Sequence, residues 1–170
     1  MSGIITLLIC LSAIFLMIII HECGHYFAGI IAGIPFRQMK ICLWTFPQYV
    51  AIKDSNNWIS PLDCEKFVAK SKEYIKGKPR AIVFASGGFV LQTVAFITLI
   101  PLLKLNNIGG KFLGPATFAI VAQLFVYLLS DLRKPYGDFT GLLKLSRLAF
   151  YLIIIPVILI HVVVLVYIIR

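Results

Sequence analysis

Histidine is scarce in this chain, and acidic side chains are scarcer than basic ones. Three histidines, His21, His25 and His161, occur among 170 residues. That count excludes a di-iron membrane oxidase, which needs many imidazole ligands. The cysteines Cys10, Cys23, Cys42 and Cys64 form no CxxC pair, so neither a zinc knuckle nor a disulfide framework is signalled and reduced thiols are expected. No polar stretch is long enough for a separate soluble domain, and there is no internal repeat or low-complexity segment. The middle apolar segments hold few polar groups beyond Gln92, Thr93, Thr117 and Gln123, which speaks against a metal transporter with ligands along several spans. The first apolar block lacks a basic leader and runs too long for a signal peptide.

What is abundant is apolar sequence. Hydrophobic residues make up 60% of the chain, against about 45–50% in a soluble domain. They fall in blocks of the roughly 20 residues that a bilayer-crossing helix needs. The expected fold is an all-α membrane protein with one domain, a bundle of about four transmembrane helices over residues 4–34, 81–103, 112–130 and 149–169. Loop 35–80 carries nine Lys and Arg and loop 131–148 carries four. The positive-inside rule places both loops in the cytoplasm and both termini outside, for a multi-pass protein of the plasma membrane. Topology thus accounts for the net charge of +9, and no nucleic-acid partner is expected.

The first loop has two parts. "MKICLWTFPQYVAI" is rich in β-branched and aromatic residues, with Pro47 as a break, and reads as one or two short strands or a hairpin at the membrane surface. "SPLDCEKFVAKSKEYIKG" reads as an amphipathic helix, with Ser60 and Asp63 as a capping box, Pro61 in the first turn and Gly77 as the stop. Its Lys66, Lys70, Lys72 and Lys76 would face either anionic headgroups or solvent.

The segment "LMIIIHECGHYFAGIIAG" puts ionisable groups inside a span, where they are costly and usually functional. His21 and His25 are four apart and share a helix face, a spacing at which two imidazoles can hold one zinc ion. Glu22 points beside the metal, where it can take a proton from a zinc-bound water as general base. A catalytic zinc site wants three protein ligands. Asp138, between Gly137 and Phe139 on the same side as His25, is favoured as the third. Its rival Asp131 reads as a helix-end residue, whereas Gly137 and Gly141 allow close backbone approach to a site. Gly29 and Gly33 continue the row of His21 and His25, and Gly24, Ala28 and Ala32 form a second row, so another helix can approach closely. His161, alone in "LIHVVVL", reads as a packing or interfacial histidine.

These residues resemble the site-2 protease family of intramembrane zinc metalloproteases, as a minimal core member. The HE-x-GH form is intact in His21-Glu22-Cys23-Gly24-His25. The family's Asp near the start of a later helix corresponds to Asp138, here with its glycine before it. The segment "SGGFVLQ" matches the family's Gly-Pro-x-x-Asn pattern in part, with Phe89 for proline and Gln92 for asparagine. The resemblance implies one Zn2+ per chain on His21, His25 and Asp138, Glu22 as catalytic base, and a substrate-binding role for Gln92. An interhelical hydrogen bond is the other reading of Gln92. It further implies cleavage of a transmembrane protein substrate that enters as an extended strand, for which residues 39–52 could offer an edge. Partners would be that substrate, the lipid bilayer and a membrane regulator. The alternative is a catalytically inactive metal-binding membrane scaffold.

Overall fold

The computed structural model describes residues 2–108, 110–134 and 137–170. Four long helices, α1 (Ser2–Ala32), α3 (Lys78–Leu105), α4 (Leu113–Asp131) and α6 (Arg147–Ile169), form a bundle. All four are long and apolar enough to cross a membrane. Leu8, Leu11, Leu152, Leu159 and Val163 point outward from it, which leaves the outside of the bundle apolar.

Local chemistry sets the helix ends. Gly33 adopts φ +112°, and the Ile34 N–H returns to the Gly29 carbonyl at 2.9 Å. This left-handed cap ends α1 at Ala32, two residues before the expected boundary. Ser146 caps α6, its Oγ accepting from the Ala149 N–H at 3.3 Å. Helices α1 and α3 cross where both are glycine. A Cβ on Gly24 would lie 2.3 Å from the Gly87 carbonyl oxygen, and one on Gly87 would lie 2.3 Å from the Ala28 Cβ. The row of Gly24 and Ala28 therefore does bring a second helix in, and its partner is the Gly87–Gly88 pair.

At the C-terminal end of α1 lies a three-stranded antiparallel sheet, in the order β1 (Met39–Cys42), β2 (Tyr49–Asp54), β3 (Asn57–Ile59). The expected hairpin is present, with Pro47 in its connecting loop. The third strand was not expected: a two-residue turn at Ser55 and Asn56, with Ser55 at φ +52°, folds Trp58 and Ile59 back onto β2. Strand β1 pairs with β2 along Tyr49 to Ile52, whereas β3 covers only Ile52 to Asp54. The start of β2 is thus paired on one side alone.

Helix α2 (Cys64–Tyr74) is shorter than residues 60–77. The expected capping box does not form. The Ser60 Oγ accepts from the Leu62 N–H in a preceding turn, and the Asp63 carboxylate pairs with Lys66 at 2.8 Å instead of capping. Pro61 therefore lies in that turn, outside the helix, and Gly77 precedes α3 instead of stopping α2. Lys70 lies between Asp54 of β2 at 3.0 Å and Glu73 at 2.8 Å. Those carboxylates, Glu73 foremost, hold its ammonium above the ordinary lysine range. Lys66 and Lys70 thus face carboxylates of the chain itself. Phe67 stacks on Phe84 of α3 at 6.2 Å.

Below the sheet end, Met17, Phe96, Ile100, Ile120, Val121 and Val164 pack where α1, α3, α4 and α6 meet. His161 is fully buried there, stacked on Phe96 at 4.3 Å with its Nδ1–H donating to the Val157 carbonyl at 2.8 Å. It is a packing histidine.

Candidate metal centre

Three side chains from two distant segments converge between α1, α3 and the loop after α4. His21 and His25 lie one turn apart on α1. Asp138 opens α5 (Asp138–Leu145), a short helix within the expected loop 131–148. The three atoms His21 Nε2, His25 Nε2 and Asp138 Oδ2 stand at the corners of a triangle with sides of 3.1 Å.

The outward-facing ring nitrogens fix the chemistry of the inner ones. His25 Nδ1 lies 3.0 Å from the Phe84 carbonyl oxygen. A carbonyl can only accept, so Nδ1 carries the hydrogen and Nε2 of the neutral ring presents its lone pair. His21 Nδ1 lies 3.0 Å from Gln92 Oε1, which orients it the same way. Gln92 is 3% exposed, beneath His21 on α3. Its amide makes an interhelical hydrogen bond, and the contact the structure gives it is to a histidine. With both rings neutral, two lone pairs and a carboxylate oxygen so close together repel unless a proton or a metal cation lies between them. Metal bonds of about 2.0–2.2 Å in a tetrahedral arrangement place donor atoms roughly 3.3–3.6 Å apart. The observed triangle needs to open by only a few tenths of an ångström. His21, His25 and Asp138 could therefore hold a metal ion.

Space for that ion depends on Gly88. A Cβ there would lie 2.5 Å from His25 Nε2 and 2.6 Å from His21 Nε2. Nothing in "SGGFVLQ" marks Gly88 over Gly87, since only the crossing of α3 over α1 decides which glycine faces the imidazoles.

Asp131 is not part of the triangle. It is 3% exposed, and its Oδ2 accepts from the N–H groups of Phe139 at 2.7 Å and Thr140 at 3.3 Å. It caps α5 from across the preceding loop, a helix-end role at a different helix from its own. Thr140 Oγ1 returns the contact by donating to the Asp131 carbonyl at 2.8 Å. Gly137 is required for this: it sits at φ +124°, and a Cβ would lie 1.4 Å from Asp131 Oδ1. Gly141 has nothing within 4 Å of an added Cβ, so the expected close approach occurs at Gly137 alone of the two.

Tyr127 was not anticipated. Its hydroxyl donates to Asp138 Oδ2 at 2.7 Å, the same oxygen that faces both imidazoles, and its ring meets His21 edge-on at 5.7 Å. Removing the hydroxyl in Tyr127→Phe leaves Asp138 free to turn. Loss of such a supporting contact typically costs about 10–100-fold in metal affinity. Chelator competition on the purified variant should show a loss of that size, and unchanged affinity would mean that Asp138 is held without Tyr127.

A cavity of about 500 Å³ opens beside the triangle. Glu22 and His25 reach it from α1, Tyr49 and Val50 from the half-covered start of β2, and Phe67 from α2. Asp138 has the most accessible side chain of the three, at 26%, so the site faces this cavity. Glu22 is 7% exposed.

No protein-family model, curated protein or solved structure matches this chain. The site's own chemistry has to carry the functional reading.

Proposed function

We propose that this chain is an intramembrane zinc endopeptidase that hydrolyses peptide bonds of transmembrane substrates, resembling the site-2 protease family. The observation that carries the proposal is the set of two imidazole nitrogens and one carboxylate oxygen, 3.1 Å apart, with a glutamate between the histidines and an open cavity in front. Two nitrogens and an oxygen with a free fourth position are the donor set of catalytic zinc.

In this reading His21, His25 and Asp138 hold the ion, and Gln92 and the Phe84 carbonyl fix the two rings. Zinc bound there would supply a Lewis acid that polarises the scissile carbonyl and makes water nucleophilic near neutral pH. Glu22 accepts a proton from the attacking water as its oxygen bonds to the carbonyl carbon. It then delivers that proton to the departing amine as the C–N bond breaks. A helical peptide bond is shielded by its own hydrogen bonds, so the substrate must unwind. Tyr49 and Val50, at the start of β2 that β3 leaves unpaired, line the cavity, and in this reading the substrate would add there as a strand that takes up its freed backbone groups. The sheet end of the bundle, with its nine Lys and Arg in loop 35–80, would face the cytoplasm, and both termini the other side.

Elemental analysis tests the metal assignment. Purified protein should carry about one zinc per chain, and the His21→Ala/His25→Ala double variant should carry none. Full retention in the double variant would end the assignment.

A further inference from the structure

Gln48, Tyr49 and Val50 are consecutive, the last two opening β2, and all three line the cavity beside Glu22 and His25. Successive side chains of a strand point to opposite faces, so a cavity that meets consecutive residues meets the edge of the strand. Pro61 and Leu62, which follow β3, line the cavity too. The cavity therefore reaches the gap that β3 leaves beside β2.

Register fixes which backbone groups open into that gap. Asp54 and Asn57 flank the two-residue turn and face each other, the place of a hydrogen-bonded pair in such a hairpin. Such pairs alternate along an antiparallel ladder, so Ile52 and Ile59 form the next one. Val50, two residues earlier, turns its N–H and C=O to the same side, while Tyr49 and Ala51 turn theirs toward Cys42 and Lys40 of β1. Extending the register puts Pro61 opposite Val50, and proline has no N–H to offer. The chain also bends away there. The Ser60 Oγ accepts from the Leu62 N–H at 3.1 Å, and the Ser60 carbonyl from the Asp63 N–H at 3.0 Å. Val50 is 3% exposed, and backbone groups so enclosed call for a partner.

We infer that Val50 sets the register of the substrate: its N–H and C=O exchange hydrogen bonds with one residue of an extended polypeptide, which must keep its amide hydrogen. This rests on the endopeptidase reading. Ile52 is already paired with Ile59, and Gln48 lies outside β2, so the demand falls on a single substrate residue. The residues on either side of it point their amides away from β2. Proline or an N-methylated residue is thus excluded at one position and tolerated at its neighbours.

The test uses the full chain, as Glu22→Gln, in phosphatidylcholine vesicles. It captures by photocrosslinking a synthetic single-span substrate whose non-repeating apolar span is N-methylated one residue at a time. One position should lose capture on the order of tenfold, the scale of a hydrogen bond removed with its buried partner left bare. Both neighbouring positions should keep most of it. Adding Val50→Pro removes the N–H that faces the gap and spares the β1 ladder. It should weaken capture of the unmethylated substrate by a similar factor and shrink the penalty at the sensitive position. Zinc content reports that the site is intact, and if Val50→Pro loses its zinc, the scan on the unaltered sheet decides alone. A flat scan, equal losses at adjacent positions, no capture of the unmethylated substrate, or a penalty undiminished in zinc-loaded Val50→Pro would overturn the inference. If the single-position pattern stands and the parent cleaves no substrate, the endopeptidase reading fails and Val50 remains the anchor of a peptide-binding groove.

Discussion

Replacing Gly88 by alanine is expected to empty the metal site while the bundle still assembles. The added methyl would sit 2.5 Å from His25 Nε2 and 2.6 Å from His21 Nε2 and Cε1. Both rings would have to swing away, and their Nδ1 partners, Gln92 and the Phe84 carbonyl, would be lost with them. Misplacing a reacting group by about 1 Å can cost on the order of 10²-fold in rate. In the endopeptidase reading His21 and His25 are ligands, so their displacement should lower cleavage by at least about that factor and zinc occupancy with it. The control is Gly114→Ala on α4, where an added Cβ meets nothing within 4 Å. Alanine is the better helix former, so this variant, in the first turn of α4, should keep both metal and stability. Parental zinc affinity in Gly88→Ala would mean that the imidazoles do not meet where the structure puts them.

The sequence exposes some of this architecture and hides the rest for physical reasons. The four long helices are legible because each needs its own uninterrupted apolar run. The His21–Glu22–His25 cluster is legible because such groups are conspicuous in an apolar segment. Asp138 is within reach of sequence reasoning through chain alternation: four spans put loops 35–80 and 131–148 at one end, beside His25. Gly88 and Tyr127 are different. Their roles depend on which faces of α3 and α4 turn toward α1, and no local period records that choice. Helix α5 hides because its cap is Asp131, well upstream across a loop, whereas sequence rules look for a cap at the adjoining position, here Gly137. The third strand hides because three residues, Asn57–Ile59, are too few to show alternation. The Ser60–Asp63 pattern misleads because an ion pair to Lys66 competes for the same carboxylate.

The central claim is that Glu22 works as a base and not as a ligand. It lies between the two histidines in sequence and lines the cavity, but the triangle of donor atoms is complete without it. Glu22→Gln preserves volume and hydrogen bonding but removes the group that can take a proton from water. General-base catalysis typically contributes about 10²–10⁴-fold, so the cleavage rate should fall by at least that much. Asp138→Asn should behave otherwise, losing zinc and activity together, because it removes an anionic ligand. The deciding measurement is zinc content and cleavage rate on the same preparation of Glu22→Gln. The endopeptidase account predicts parental zinc content with cleavage reduced at least about 10²-fold. Cleavage at the parental rate would contradict the mechanism, and loss of the zinc would make Glu22 a ligand or a structural anchor and favour the inactive scaffold.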